Sequence, residues 1–267
     1  MEKIFRLGVI GAGFMSNAII NGAIGSGFLK ADDIIVSDIN DEALKRLADK
    51  GVNTSKSNSV TANSSEYVLF AVKPQNFKEI ACDLQNCSCN KFISIMAGVK
   101  KVNIKKYING KSVARCMPNT PCSIGFGAVG IDDTDYSEEN DKNFVRGLFA
   151  SFATVVPVEE ILLNAVTGVS GSSPAYFYLF IKSIVDAGVK NGLKREDALK
   201  LAVNTMIGSG KMIIQNNDKT LEELIASVCS KGGTTIEAMN VFNQNGLEKT
   251  VDEAVGACIK RAEELEG

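Results

Sequence analysis

The sequence predicts two domains: an α/β domain built on a mainly parallel sheet, followed by an all-α domain. As far as Pro157, short runs of β-branched residues alternate with helical segments, a pattern typical of βαβ crossovers. After Glu159 the strand signals stop, and helical spacing continues between Gly, Pro, Asn and Asp residues. We therefore predict one domain over residues 1–158 and a second over residues 159–267.

The elements follow in order along the chain. Seven strands are expected in the first domain, over residues 6–10, 34–37, 67–72, 92–96, 113–116, 128–131 and 154–157. The second domain carries helical patterns over residues 160–170, 175–192, 195–215, 220–227, 234–245 and 248–265. The second of these helices is apolar around nearly its whole circumference, so it must be buried on every side. A homo-oligomer that packs helical domains together would bury it.

Composition excludes several classes of protein. The 267 residues carry a formal net charge of −2 and no concentrated basic region, which argues against nucleic-acid binding. The longest uncharged run, residues 161–181, is interrupted by Gly, Ser and Pro, so we expect no membrane span. The chain passes from Met1 directly into a strand pattern without a signal peptide. A cytoplasmic protein is expected.

Cysteine and histidine usage limits the chemistry further. The seven cysteines form no CxxC pair and are expected to be reduced, and Cys82, Cys87 and Cys89 are interpreted as loop and core residues rather than as a metal site. We predict no metal. The chain contains no histidine, which excludes Ser-His-Asp and Cys-His nucleophile schemes and most catalytic zinc sites.

A glycine-rich segment, "GAGFMS" (11–16), follows the first strand and opens the first helix. Gly11 permits a tight turn and Gly13 permits a pyrophosphate to approach the backbone. The third fingerprint position is Ser16, which is small enough for close packing of strand and helix. This context predicts a Rossmann-type dinucleotide site; the alternative is a tight structural turn.

The second strand ends at Asp38, where an acidic side chain accepts hydrogen bonds from ribose hydroxyls and repels a 2′-phosphate. Asp38 favours NADH, whereas Lys45 and Arg46, one turn further on, leave NADPH open. Two later strand ends, over residues 70–75 and 94–98, are expected to line the cofactor or else to be ordinary loops.

"SKGGTTIEA" (230–238) interrupts a helical region with two glycines. Thr234 is expected to cap the next helix, with Glu237 completing a capping box. Gly232 and Gly233 would leave backbone N–H groups free at the positive end of that helix. The segment therefore predicts an anion site.

Three more segments make the chain recognisable: "RCMPNTP" (115–121), "AVTGVSGSSPAYFY" (165–178) and "VCSKGGTTIEAM" (228–239). Together with the glycine-rich start and "AVKP" (71–74), they resemble pyrroline-5-carboxylate reductases over essentially the whole chain. One departure is Lys231, where the family usually has Pro, which leaves the rigidity of that loop open. "RCMPNTP" either shapes the pocket wall or only carries the chain across the sheet edge.

The resemblance implies reduction of 1-pyrroline-5-carboxylate to L-proline, the last step of proline biosynthesis, with NADPH or NADH. It also implies a Rossmann domain followed by a helical dimerisation domain, in a homo-oligomer built from dimers. The substrate carboxylate would lie at Ser230, Gly233, Thr234 and Thr235. Cofactor contacts would be Gly11, Gly13, Phe14, Met15, Asp38, Asn58, Ala71, Val72, Lys73, Pro74, Ala97 and Gly98.

The same resemblance makes Thr167 and Glu160 the catalytic candidates, Thr167 near the imine and Glu160 favouring its cation. The alternatives are a helix-packing role for Thr167 and a domain-start role for Glu160. Hydride transfer to a protonated imine quenches a charge and yields a neutral amine, so a chain without histidine suits it. Rival interpretations are a reductase of another cyclic imine or of a β-hydroxy acid, and a non-enzymatic nucleotide-binding paralogue.

Overall fold

The first part of the chain forms one eight-stranded sheet in the computed structural model, which describes residues 4–266. The strands are β1 (Phe5–Ile10), β2 (Ile34–Ser37), β3 (Asn53–Ser55), β4 (Ser65–Phe70), β5 (Lys91–Ser94), β6 (Ser112–Pro118), β7 (Gly127–Asp132) and β8 (Ala153–Pro157). Their order is β3-β2-β1-β4-β5-β6-β7-β8. Every pairing is parallel except that of β6 with β7. The predicted α/β fold class is confirmed.

Six helices cover the two faces of this sheet. They are α1 (Phe14–Gly25), α2 (Asp41–Ala48), α3 (Asn58–Asn63), α4 (Phe77–Cys82), α5 (Lys101–Lys105) and α6 (Glu139–Ala150). One buried cluster joins the sheet to α1, α2 and α6, with Ile19, Leu47 and Phe149 fully buried. A second joins it to α3, α4 and α5, where Phe70 stacks on Phe92. Burial on both faces explains why the central strands are apolar throughout.

The central strands end level with one another. Ile10 pairs with Ser37 on one side and with Phe70 on the other, and Phe70 pairs with Ser94. β4 and β5 therefore stop two residues before the predicted ends, because the chain turns away at that line. The prediction missed β3. Its three residues, Asn53, Thr54 and Ser55, are polar, and they pair with β2 at the edge of the sheet.

The remaining helices are α7 (Leu163–Val166), α8 (Ser173–Lys190), α9 (Arg195–Gln215), α10 (Leu221–Val228), α11 (Thr234–Gln244) and α12 (Leu247–Leu265). The helix predicted over 160–170 is wrong as one element. It is a 3₁₀ turn, the short α7 and a π-type turn over Thr167–Gly171, in which Ser172 N–H donates to the Thr167 carbonyl at 2.9 Å. Gly168 and Gly171 are poor helix formers, which lets this backbone depart from α geometry.

Two compact units divide the chain, one of residues 4–174 with 258–266 and the other of residues 175–257. β8 ends at Pro157, beside the predicted boundary, but residues 159–174 group with the sheet. The domain boundary at 158 stays a prediction. None of the described helices has the length and hydropathy needed to cross a bilayer. Among residues 4–266 no group of three potential metal ligands is found, and the seven cysteines are unpaired.

Candidate active site

Loops from four strand ends meet at the carboxyl edge of the sheet. Gly11 N–H donates to the Ser37 carbonyl at 2.8 Å, and Ala71 N–H donates to the Ile10 carbonyl at 2.9 Å. Ile95 N–H reaches the Phe70 carbonyl at 3.2 Å. The loops after β1, β2, β4 and β5 are thereby joined, which is the position where ligands bind in open α/β sheets.

The loop after β1 requires glycine at position 11 for steric reasons, whereas Gly13 has open space beside its backbone. Gly11 has φ +105°, and a Cβ there would lie 2.6 Å from the Ala71 carbonyl oxygen. A Cβ at Gly13 would meet no described atom within 4 Å, so that backbone faces open space. Ser16 is buried and donates to the Gly13 carbonyl at 3.0 Å, consistent with close packing of helix and strand.

The start of α1 suits a dinucleotide pyrophosphate. Among the described residues no side chain caps its first N–H groups, so they remain available at the positive end of the helix dipole. Asn17, which sequence reasoning missed, donates to the carbonyls of Ala12 and Gly13 at 2.9 and 2.7 Å. These two hydrogen bonds tie the Asn17 side chain to the glycine-rich loop and so stiffen the loop. A polar residue in the first turn after the glycines was the available signal.

Asp38 is fixed through both carboxylate oxygens. Oδ2 accepts from Ala12 N–H at 2.6 Å and Oδ1 accepts from Asn40 N–H at 2.7 Å. A cavity of about 440 Å³ opens beside it, and Arg46 lines the same cavity. Asp38, the candidate for binding the ribose, and Arg46, a cation that could bind a phosphate, therefore line the same cavity.

The other predicted cofactor residues lie on these loops and helix starts. Asn58 begins α3, and its Oδ1 accepts from Ser37 Oγ at 2.7 Å. Phe14 is 65% exposed, whereas Met15 packs against the core. The remaining candidates follow β4 and β5 directly: Ala71, Val72, Lys73, Pro74, Ala97 and Gly98. Their contacts with a cofactor stay predictions.

Glu160 lies in a dense ion cluster rather than free. Its Oε1 accepts from buried Arg115 at 2.9 Å and from Lys101 N–H at 2.7 Å. Arg115 also lies 3.4 Å from Glu266 Oε1. The negative charge of Glu160 is therefore offset by a cation within hydrogen-bonding distance, and its catalytic role stays a prediction. Sequence reasoning missed Arg115 and Glu266, because 151 positions separate them.

Thr167 opens the π-type turn, and its Oγ1 donates to the Leu163 carbonyl at 2.9 Å. Asn119, from the "RCMPNTP" segment, donates to the Ser170 carbonyl at 3.2 Å and accepts from Ala128 N–H at 3.0 Å. That segment therefore braces the turn that carries Thr167. π-type turns are frequent at functional sites because they re-aim side chains.

Residues 230–235, which are predicted to bind an anion and are called the anion loop below, belong to the second compact unit. α11 begins at Thr234 with Gly233 as its N-cap, and among the described residues no side chain caps it. The predicted capping box of Thr234 and Glu237 is thus wrong. Thr220 and Glu223 form such a box one helix earlier.

The backbone explains the displaced cap. Gly232 has φ +72°, and Gly233 N–H turns back to the Ser230 carbonyl at 3.0 Å, so the chain enters the helix one residue early. A Cβ at Gly233 would overlap Ser230 Oγ. Lys231 is exposed at the tip. The N–H groups of Thr234 and Thr235 are therefore even barer than predicted, which favours an anion there.

Asp132 is a buried carboxylate that forms an ion pair with Lys101, the residue whose N–H binds Glu160. Burial alone would raise its pKa, but hydrogen bonds from Thr134 and from Lys101, 2.9 Å away, outweigh burial and hold the pKa below its usual value of 3.8. Because the folded pKa is lowered, this carboxylate stabilises the fold at neutral pH. That stabilisation is lost as the pH falls below about 3.8.

We expect Asp132→Asn to lower the free energy of unfolding by about 3 kcal/mol at pH 7, because it leaves buried Lys101 short of a partner. The gap from the unsubstituted chain should narrow as the pH falls below about 3.8, where Asp132 itself becomes protonated. Urea unfolding at several pH values measures both. The exposed Asp83→Asn is the control, and a gap that stays constant with pH contradicts the assignment.

Comparisons with known proteins agree with this geometry. The family model described as "Pyrroline-5-carboxylate reductase dimerisation" matches residues 160–265. A second, "NADP oxidoreductase coenzyme F420-dependent", matches residues 6–98. A pyrroline-5-carboxylate reductase from Haemophilus influenzae is 37% identical over 261 residues, with 96% of each chain covered.

Solved structures point the same way. A pyrroline-5-carboxylate reductase from Coxiella burnetii has a TM-score of 0.90 at 28% identity, covering 99% of this chain and 100% of that one. The Plasmodium falciparum pyrroline carboxylate reductase, solved with NADP bound, has a TM-score of 0.86 at 28% identity and 98% coverage of both chains. In sequence and in fold, the chain belongs to the pyrroline-5-carboxylate reductase family.

Proposed function

We propose that this protein reduces 1-pyrroline-5-carboxylate to L-proline with NADPH or NADH, as the last step of proline biosynthesis. The observation that carries the proposal is the uncapped start of α11, a backbone site for a small carboxylate in a chain that also holds a dinucleotide cradle. Membership of the reductase family names the substrate that fits both.

The loop after β1 would hold the pyrophosphate, through the N–H groups at the start of α1 and the open backbone at Gly13. Asp38 would hold the adenosine ribose, and the loops after β4 and β5 would hold the nicotinamide half. When bound, the reduced nicotinamide supplies a hydride. The cradle fits this group because a Cβ at Gly13 would meet no described atom within 4 Å, which leaves space beside the uncapped start of α1.

The substrate carboxylate would bind at Ser230, Gly233, Thr234 and Thr235. Gly233 keeps the backbone open, and the two threonines offer both N–H and hydroxyl donors at the helix start. Hydrogen bonds from several donors to one carboxylate fix its orientation as well as its position. The loop thus orients the ring while it excludes substrates without an acid group.

Little acid–base work remains at the ring itself. A protonated imine already carries the charge that hydride addition removes, so no side chain need donate a proton in that step. Thr167 would contact the ring nitrogen or order a water there. Glu160 would favour the cationic imine, in balance with Arg115. Orientation of the two reactants can lower the barrier of such a reaction by about 7–11 kcal/mol.

The proposal includes a homodimer in the cytoplasm, joined into a larger homo-oligomer. α8 exposes apolar side chains over much of its surface, including Phe177 at 55%, Tyr178 at 65% and Leu179 at 65%. A patch of this kind marks an interface. A dimerisation model of the family matches these residues, which supports pairing through them.

Asp38→Asn should shift the cofactor preference towards NADPH. The amide oxygen can still accept from Ala12 N–H, but the charge that repels a 2′-phosphate is gone. We expect the ratio of kcat/KM for NADPH to that for NADH to rise about tenfold, the scale of one charged hydrogen bond. Steady-state kinetics with both cofactors measure it. Asp41→Asn, at an exposed pair with Lys56, is the control; an equal shift there contradicts the role of Asp38.

The function itself is tested by following NADPH and NADH oxidation with two imines, and NADP⁺ and NAD⁺ reduction with a β-hydroxy acid. Pyrroline-5-carboxylate should be reduced to proline, a six-membered piperideine carboxylate tests the rival cyclic imine, and the β-hydroxy acid should not be oxidised. Absence of turnover with pyrroline-5-carboxylate, when either cofactor binds, overturns the proposal and favours a non-enzymatic paralogue.

A further inference from the structure

We propose that Arg115 and Glu266 are positioning residues for dinucleotide binding, a role that rests on the cofactor site proposed above. With Glu160 and Lys100 they form the Arg115 cluster, which fixes the loop of residues 95–101 between β5 and α5. This loop carries Ala97 and Gly98, the proposed nicotinamide contacts.

Arg115 is the centre of the cluster. Its side chain, on β6, is only 2% exposed. The guanidinium lies 2.9 Å from Glu160 Oε1 and 3.4 Å from Glu266 Oε1. A buried cation is retained only where anions and hydrogen bonds compensate it, so these carboxylates are held to narrow positions. Glu266 is itself 7% exposed, which places its charge in the interior as well.

Three contacts hold this loop after the end of β5. Lys100 Nζ lies 3.2 Å from Glu266 Oε2. Lys101 N–H donates to Glu160 Oε1 at 2.7 Å. Gly98 packs on the end of α12: a Cβ there would lie 3.0 Å from the Cβ of Leu265. Since Leu265 precedes Glu266, the ion pair with Arg115 also seats the surface on which Gly98 rests.

Gly98 has φ +70°, a left-handed conformation that glycine adopts about as readily as a right-handed one, so the contacts of the loop select between the two. Ala97 is exposed beside it, on the loop that follows β5. A loop held in its binding conformation costs less ordering entropy when the ligand arrives. The Arg115 cluster holds the loop in this conformation. Loss of the cluster should therefore weaken dinucleotide binding without altering the anion loop of the other compact unit.

The test uses the full chain with Glu266→Gln, which removes the charge and keeps the shape, and Arg115→Lys, which keeps the charge and loses the fork of donors. Glu264→Gln is the matched control, because Glu264 lies in the last turn of α12, two residues before Glu266, in an exposed pair with Arg261 at 2.8 Å. If Arg115→Lys fails to fold, Glu266→Gln alone decides the outcome.

Two readouts are expected to move together. The dissociation constant of NADPH, from quenching or enhancement of its fluorescence, should rise about tenfold in Glu266→Gln, the scale of one charged hydrogen bond. Hydrogen exchange without cofactor should be faster at the amides of residues 96–101 and unchanged at residues 11–16. The NADPH affinity and the exchange rates of Glu264→Gln should stay within twofold of those of the unsubstituted chain.

Unchanged exchange at residues 96–101 in Glu266→Gln overturns the proposal, whether or not NADPH affinity falls. So does faster exchange with unchanged affinity. The exchange measurement needs neither substrate nor turnover. A chain that binds NADPH but reduces no pyrroline-5-carboxylate would therefore refute the proposed function while the cluster is still tested.

Discussion

Gly11→Ala should reduce dinucleotide affinity about 10- to 100-fold, because a displaced loop would lose a hydrogen bond to the charged pyrophosphate, worth about 1.5–3 kcal/mol. The new Cβ would lie 2.6 Å from the Ala71 carbonyl oxygen, which is backbone and cannot rotate away. The loops after β1 and β4 must then separate. With φ +105°, the substitution also forces an L side chain into a strained conformation.

Fluorescence titration with NADPH and thermal unfolding measure the two consequences. Gly27→Ala separates them, because Gly27 also has positive φ, +77°, but a Cβ there meets no described atom within 4 Å. We expect that control to lose some stability and to keep its affinity. Equal loss of affinity in both variants would mean that strain, and not the collision with Ala71, explains the glycine.

Thr235→Ala should raise the KM for pyrroline-5-carboxylate about 10- to 100-fold, since a hydrogen bond to a charged group is worth about 1.5–3 kcal/mol. In the proposed site the hydroxyl would bind a carboxylate that hydride transfer leaves unchanged. Its contact is therefore equally strong in the ground state and the transition state, and kcat should change little.

Steady-state kinetics at saturating cofactor give both constants. Thr250→Ala is the matched control, because that hydroxyl donates to the Gly246 carbonyl of its own helix at 3.0 Å. A fall in kcat with unchanged KM would refute uniform binding by Thr235. Unchanged kinetics would remove Thr235 from the site.

The fold and the cofactor cradle could be predicted because their signals are local. β-branched runs predict the strands, and the glycines of residues 11–13 lie at a strand–helix junction. Parallel pairing then predicts that the carboxyl ends of β1, β2, β4 and β5 share one edge, although the predicted ends of β4 and β5 lie two residues beyond the observed ones. By contrast, the π-type turn at Thr167–Gly171 accepts a hydrogen bond from Asn119, in a distant segment, at the Ser170 carbonyl. No pattern within residues 160–170 contains that information.

The anion loop illustrates a near miss. The two glycines predict a bare helix start correctly in kind, but the cap moves from Thr234 to Gly233 because Gly232 turns the chain one residue early. Arg115 and Glu266 illustrate a different limit. Each looks like an ordinary charged residue in its own segment, and only the folded chain shows that they neutralise one another in the interior.

The sheet unit is discontinuous in the chain, since residues 258–266 join residues 4–174 after an excursion of more than eighty positions. A ribosome delivers residues in order, so the strands emerge long before the helix end that completes their unit. Domains generally fold as they are synthesised, amino-terminal part first. The nascent unit would therefore wait with Arg115 paired to Glu160 alone until Glu266 is made, which gives translation a period in which a chaperone can bind the incomplete unit.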